Sequence, residues 1–183
     1  YASPKMKIMG IETTRSSTPQ VVRDALKESI NLIVNTDEET VRKFIMEFEE
    51  KFKSMPPEDI AFPRSVNGLD TYRDSSSIYK KSTPIAVKGA LVYNHHLKKN
   101  KLQKKYSIIQ EGDKIKFLYI KRPNFFHEHV VSFASSLPKE FDIHQFVDYD
   151  LQFEKSFIDP LTNILNTLGW SYIEVASLEA LFD

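Results

Sequence analysis

Proline placement constrains this chain more than any other feature, because proline starts or stops helices and the apolar residues between the prolines recur at helical spacing. Pro4 forbids an early helix, and Lys5, Met6, Lys7 and Ile8 alternate after it, so residues 1–12 read as an extended strand. Ser16, Ser17 and Thr18 lead into Pro19, with Gln20 three residues beyond Ser17, the spacing of a capping box with proline at the first helical position. Val21, Val22, Ala25, Leu26, Ile30 and Ile33 carry that helix onward. Thr36, with Glu39 three residues later, predicts the cap of a second helix whose Val41, Phe44, Ile45, Phe48 and Phe52 share one face until Pro56 and Pro57 stop it. Two such helices joined by a short link predict an antiparallel pair.

The 183 residues suffice for one domain, or one domain with a short attached element, and for a sizeable core. A hydrophobic fraction of 41% and a charged fraction of 27% are those of a globular chain rather than a disordered one. No apolar run approaches the roughly 18 residues of a membrane span, and the start carries no secretory signal. The absence of cysteine removes disulfide frameworks and thiolate metal sites and fits a reducing compartment. The chain opens on Tyr1 rather than methionine, which suggests a piece cut or processed from something longer.

Residues 58–82 show little periodicity and read as a loop. They hold Pro63, Asn67, Gly68 and the run Ser75, Ser76, Ser77, with Arg64, Arg73, Lys80 and Lys81 as basic side chains. Thr83 and Pro84 open a third helix with Val87, Leu91 and Leu97 inward, in which Gly89 weakens the helix and permits close approach of a neighbour. Tyr106 to Gln110 and Lys114 to Lys121, separated by Glu111, Gly112 and Asp113, predict a hairpin, and Val130 to Phe133 a further strand. Helices are predicted from about Phe141 to Ile158 and from Pro160 to Leu168, capped by Gly169. The fold class is α+β, mostly helical, with a small antiparallel β element.

Charge is segregated although it sums to zero. Basic against acidic residues number 9 to 11 in 1–63, 14 to 4 in 64–122, and 2 to 10 in 123–183, so the middle segment carries +10 and the last −8. A positive field of that size, interleaved with Tyr72, Tyr79, Tyr93, Tyr106 and Tyr119, is the footprint of a surface that neutralises phosphates. The competing reading is a solvated basic face paired internally with the acidic third.

The sequence offers no self-contained active site: it lacks a nucleophile-elbow serine and a Gly-rich phosphate loop. Asp148 and Asp150 lie in a helical pattern, where residues two apart diverge. His127 and His129 flank Glu128, and His95 adjoins His96, but no third ligand is placed near the His-x-His pair, so no metal site is assigned. A metal-dependent hydrolase using His127, Glu128 and His129 stays open as a rival reading.

Three segments taken together carry a family resemblance: PKMKIMGIETTRSSTP at 4–19, PRSVNGLDTY at 63–72 and ASLEALFD at 176–183. The chain resembles the C-terminal part, end of palm plus thumb, of the family B replicative DNA polymerases of T-even-like bacteriophages. The positions that match are Lys7 to Gly10, Glu12, Thr13 and Ser16 to Pro19, then Asn67, Gly68 and Tyr72, then the Pro84 to Tyr93 helix with Lys88 and Gly89. Where the family pattern has a lysine before the loop tyrosine this chain has Thr71, and Lys80 and Lys81 are the candidates to supply that charge.

The resemblance implies that 1–12 is the last palm strand, 13–170 the thumb and 171–183 a clamp-binding tail. It implies primer–template DNA, a sliding clamp and the exonuclease, palm and fingers part of the polymerase as partners, in the cytoplasm of an infected bacterium, with no membrane. The palm aspartates that hold magnesium in the whole polymerase belong to the family's upstream part. This chain then contributes no catalytic residue and no cofactor site, and is inactive alone as a nucleotidyltransferase. The DNA-binding candidates are Arg15, Ser16, Ser17 and Thr18 at a helix start, with Tyr72, Arg73, Lys80, Lys81 and Lys88, backed by Lys98, Lys99, Lys101, Lys104 and Lys105 as a class. Leu178, Leu181 and Phe182, at i, i+3 and i+4, are the clamp-docking candidates. A stand-alone nucleic-acid-binding or clamp-associated accessory protein is the alternative.

Overall fold

The computed structural model describes residues 16–167. The expected strand at 1–12, the tail at 171–183 and the Gly169 cap lie outside them. The chain divides into two compact units, one formed by its two ends, of which 16–55 and 153–167 are described, and one running from Pro56 to Gln152.

In the first unit, α1 spans Gln20–Asn35 and α2 spans Glu38–Ser54. Val22, Ala25, Leu26 and Ile30 of α1 and Val41, Ile45, Phe48 and Phe52 of α2 are buried, as the periodicity requires. Val21, Ala25 and Glu28 line a groove with Phe44, Phe48 and Met55, so the start of α1 faces the end of α2 and the pair is antiparallel. Both predicted caps shift by a residue or more. The cap position of α1 is Pro19, without a side-chain cap bond, and its carbonyl accepts from the N–H groups of Val22 and Arg23 at 3.0 Å each. The Thr36 hydroxyl turns back to the Leu32 carbonyl at 2.6 Å to finish α1, which leaves the Asp37 carboxylate to cap α2 through the Thr40 N–H at 2.8 Å. Hydrogen bonding from the Thr40 side chain first, and from this N–H second, holds the Asp37 carboxyl below its usual range. Residues 149–167 run as α6 (Tyr149–Phe153), a π turn at Glu154–Ile158 and α7 (Asp159–Thr167). Phe153 and Phe157 close the core of this unit on Phe52 at 5.3 Å and Phe48 at 4.9 Å between ring centres.

The second unit contains α3 (Pro57–Ile60), β1 (Phe62–Ser65), α4 (Leu69–Tyr72), α5 (Ile85–Lys99), β2 (Lys114–Tyr119) and β3 (Val130–Phe133). The strands form one antiparallel sheet in the order β1-β2-β3, with Phe62 opposite Phe117 and Phe117 opposite Ser132. The predicted hairpin is absent: β2 pairs with β1 and β3, and 106–110 is not a strand. The reason is side-chain competition. Asn94 on α5 donates to the Ile109 carbonyl and accepts the Ile109 N–H, both at 2.9 Å, and the Tyr93 hydroxyl donates to the Ser107 carbonyl at 3.1 Å. That segment's backbone is satisfied by a helix rather than a neighbouring strand. Within the stretch read as loop, 62–65 is a strand instead. Pro63 disguises it, and is tolerated because β1 lies at the sheet edge. The predicted long helix from Phe141 begins instead as two 3₁₀ turns, Lys139–Phe141 and His144–Phe146.

Helix α5 lies on β3 at backbone distance. A Cβ added at Gly89 would collide with the Ser132 hydroxyl and come within 2.8 Å of the Ser132 nitrogen. Alanine is the better helix former by up to about 1 kcal/mol in a free helix, yet here the added methyl meets strand backbone that cannot rotate away. Gly89→Ala is therefore expected to lower stability by about 1–3 kcal/mol, read as a shift in the denaturant midpoint with little change in slope. An unchanged or raised midpoint would contradict this packing.

Candidate nucleic-acid interface

The DNA-binding candidates fall in both compact units. Arg15 precedes the described residues; Ser16 is exposed and Ser17 and Thr18 are half-buried, in the turn that enters α1. Tyr72, Arg73, Lys80, Lys81 and Lys88 all belong to the Pro56–Gln152 unit. Leu178, Leu181 and Phe182 lie outside the described residues.

Five of these candidates are organised around one short turn. Gly68, at φ +96°, starts α4, and its N–H and that of Leu69 donate to the Glu111 carboxylate at 2.6 and 2.9 Å. The Tyr72 ring packs over Gly68, where a Cβ would come within 3.1 Å of it, so Tyr72 anchors the Asn67-Gly68 turn. Arg73 and Tyr79 then form an isolated antiparallel bridge, and the Lys80 N–H donates to the Tyr72 carbonyl at 2.9 Å. The Lys80 ammonium donates to the Thr71 carbonyl at 2.7 Å. Lys81 follows in an exposed turn, and the Arg73 guanidinium stands 3.6 Å from Asp70. Lys88 on α5 holds its ammonium 4.9 Å from the centre of the Tyr79 ring, and the Tyr79 hydroxyl donates to Glu128 at 2.7 Å. Burial first, and that hydrogen bond second, push the Tyr79 hydroxyl up to about 12.

The structure reassigns several members of the basic, tyrosine-rich stretch. Tyr93 is core, 1% exposed, with its hydroxyl pushed up to about 12 by burial. Lys105 pairs with Glu140, which also accepts from the Tyr106 hydroxyl, and these two partners draw the Glu140 carboxyl down to about 2. Lys98, Lys99, Lys101 and Lys104 are exposed around the end of α5, where positive charge also suits the helix dipole. Internal pairing with the acidic third is therefore real but partial.

The His127-Glu128-His129 run disperses. Glu128 is engaged by Tyr79, His129 Nδ1 lies 2.9 Å from the Arg122 guanidinium, and His127 occupies a turn at φ +55°. Burial, then Lys88 and Arg122, hold the His129 imidazole below its usual range. Among the described residues, no group of three or more His, Asp or Glu side chains could hold a metal ion.

Sequence reasoning missed a cleft of about 360 Å³ in this unit, between the 73–78 segment and α5. Its signal was the Asp74 to Ser77 run: the Asp74 carboxylate accepts from the Ser76 N–H and hydroxyl at 3.1 Å each and from the Ser77 hydroxyl at 3.0 Å, an Asx turn that gives the loop a fixed shape.

No family model matches the chain. Along its whole length it is 33% identical, over 186 aligned residues, to a DNA-directed DNA polymerase of Enterobacteria phage T4. It is likewise 34% identical, over 188 residues, to one of Escherichia phage RB69. In each case the match covers all of this chain and 20% of the relative, so the chain spans about a fifth of the length of the curated relatives it matches. Through these two matches the chain is related over its whole length to the DNA-directed DNA polymerases of T4-like phages.

Proposed function

We propose that this chain is the thumb portion of a family B phage DNA-directed DNA polymerase and grips primer–template duplex through its phosphates. Residues 1–12 are the last palm strand in this reading, 13–170 the thumb and 171–183 a tail that tethers the enzyme to its sliding clamp. The whole-length match to two named polymerases carries the reading. The 14 to 4 excess of basic residues in 64–122 supports it on independent physical grounds.

A polymerase must hold any sequence equally well, so its grip uses charges and backbone donors directed at phosphate rather than paired contacts to base edges. Arg73, Lys80 and Lys81 supply such charges on a turn stiffened by the Glu111, Tyr79 and Glu128 contacts, and Lys88 adds one from α5. Ser16 to Thr18, in the turn that enters α1, would offer a second phosphate contact through their hydroxyls and the positive end of the helix, together with Arg15 just before them in sequence. The tail would lay Leu178, Leu181 and Phe182 into an apolar groove of the clamp. Phosphoryl transfer, with its magnesium ions, is assigned to the rest of the polymerase, in the cytoplasm of the infected host.

Three outcomes are expected. Duplex affinity of the isolated chain should fall by about 10³ to 10⁵ between 50 and 200 mM salt if about 6 to 10 phosphates are neutralised, read by fluorescence anisotropy; a flat response would remove the electrostatic grip. Phe182→Ala should abolish clamp capture while leaving duplex affinity unchanged, and equal loss of both would mean that the tail is part of the fold. Primer extension should appear only when the chain is combined with the polypeptide encoded upstream of it. DNA binding without extension in the mixture would favour the stand-alone accessory protein.

A further inference from the structure

The cleft of about 360 Å³ in the Pro56–Gln152 unit has two chemically different parts. Ile78 and Leu91 form an apolar floor, while Arg73, His95 and Lys98 stand at its rim from two different elements. Asn94, at the base, is 6% exposed, and both ends of its amide are taken by the Ile109 backbone, so it is a fixed wall rather than a mobile group. The acidic residue of the cleft, Asp74, directs its carboxylate into the donors of its own loop. Arg73, which stands 3.6 Å from Asp70, and Lys98 bring positive charge to the opening, while the negative charge of Asp74 is turned into its own loop.

A duplex presents a convex backbone and keeps its bases stacked inside, so it can use the rim but not the floor. An unpaired nucleotide carries an anionic phosphate and an apolar ring on one small unit, and the volume lies in the range of small-ligand sites, about 300–1,000 Å³. We infer that this cleft takes a single unpaired nucleotide of a DNA strand, its phosphate on Arg73, His95 and Lys98 and its base against Ile78 and Leu91. The inference rests on the reading of this unit as DNA-binding, and adds to it a site for the single-stranded part of the substrate.

The test compares three DNAs of equal duplex length with the full chain: blunt, with a short 5′ thymidine extension, and with the same extension made abasic, so that the two extensions carry equal phosphate charge. The intact extension is expected to bind about threefold to tenfold more tightly than the abasic one, somewhat below the effect of one base stacked on an aromatic ring because the floor is aliphatic. Ile78→Asn, which puts an uncharged polar amide on the floor, should erase that difference and leave blunt-duplex affinity in place. As a readout independent of that variant's folding, a thymidine monophosphate titration of the unmodified chain should move the Ile78 and Leu91 methyl resonances. Equal binding of intact and abasic extensions, or methyl resonances that do not move, would overturn the cleft site while duplex binding survives. Loss of all DNA binding would instead overturn the function proposed above.

Discussion

The Ser132 hydroxyl donates to the Ala86 carbonyl at 3.1 Å, and Gly89, three residues further along α5, has no side chain to hold β3 away. Helix and sheet therefore meet at backbone distance, and the consequences spread along the whole helix. Ala86, Val87, Ala90, Leu91, Val92, Tyr93 and Leu97 are all buried, far more than one amphipathic stripe would bury. Polar residues caught in that burial need partners. Asn94 and Tyr93 find them in the backbone of 107–109, which is why that segment does not pair as a strand. His96 is 7% exposed and stacks on the Phe126 ring at 3.7 Å. Burial, then the charges of His95, Lys99 and His127, bring its imidazole down to about 4, so it sits in the core as a neutral ring.

What α5 leaves accessible follows from the same contact. Once the sheet side is closed, Lys88, His95, Lys98 and Lys99 are the helix's remaining polar positions, and Lys88, Leu91, His95 and Lys98 follow one another at helical spacing. This stripe faces the turn that carries Arg73 and Tyr79, through the Lys88–Tyr79 contact at one end and the cleft at the other. The packing that sets the fold also places the cations.

The elements legible in the sequence were those whose signal is local. Proline boundaries with 3.6-residue periodicity located α1, α2 and α5, and Gly89 could be read as a site of close approach before its partner was known. The failures were non-local. Nothing near Thr36 shows that its hydroxyl is spent on Leu32, and nothing in 106–110 shows that Asn94, 15 residues earlier, occupies Ile109. Strand β1 carries a proline and pairs with β2, more than 40 residues away, so no short window contains its evidence. The tyrosines divided in the same manner: their sequence positions suggested one surface, but Tyr93 went to the core and Tyr72 to anchoring a glycine turn.

Charge counting has a similar limit. The +10 of residues 64–122 is a sum over sequence, whereas the unit that folds, Pro56–Gln152, holds 15 basic and 11 acidic residues. Some of those cations are already engaged: Lys105 by Glu140, Lys116 by the Glu58 carbonyl at 2.8 Å, and Arg64 over the rings of Phe62 and Phe117 at 5.7 and 5.3 Å. A phosphate-directed grip depends on charge that is uncommitted and correctly placed, not on the total. By that measure Lys81, Lys98, Lys99, Lys101 and Lys104, all exposed, offer long-range attraction, whereas Arg73, Lys80 and Lys88 are engaged as Lys116 and Arg64 are, by Asp70, the Thr71 carbonyl and the Tyr79 ring, contacts that also hold them in place. The first group favours encounter with a polyanion of any sequence. In the proposed grip the second would supply the fixed geometry that following a helical backbone requires and that diffuse charge cannot give.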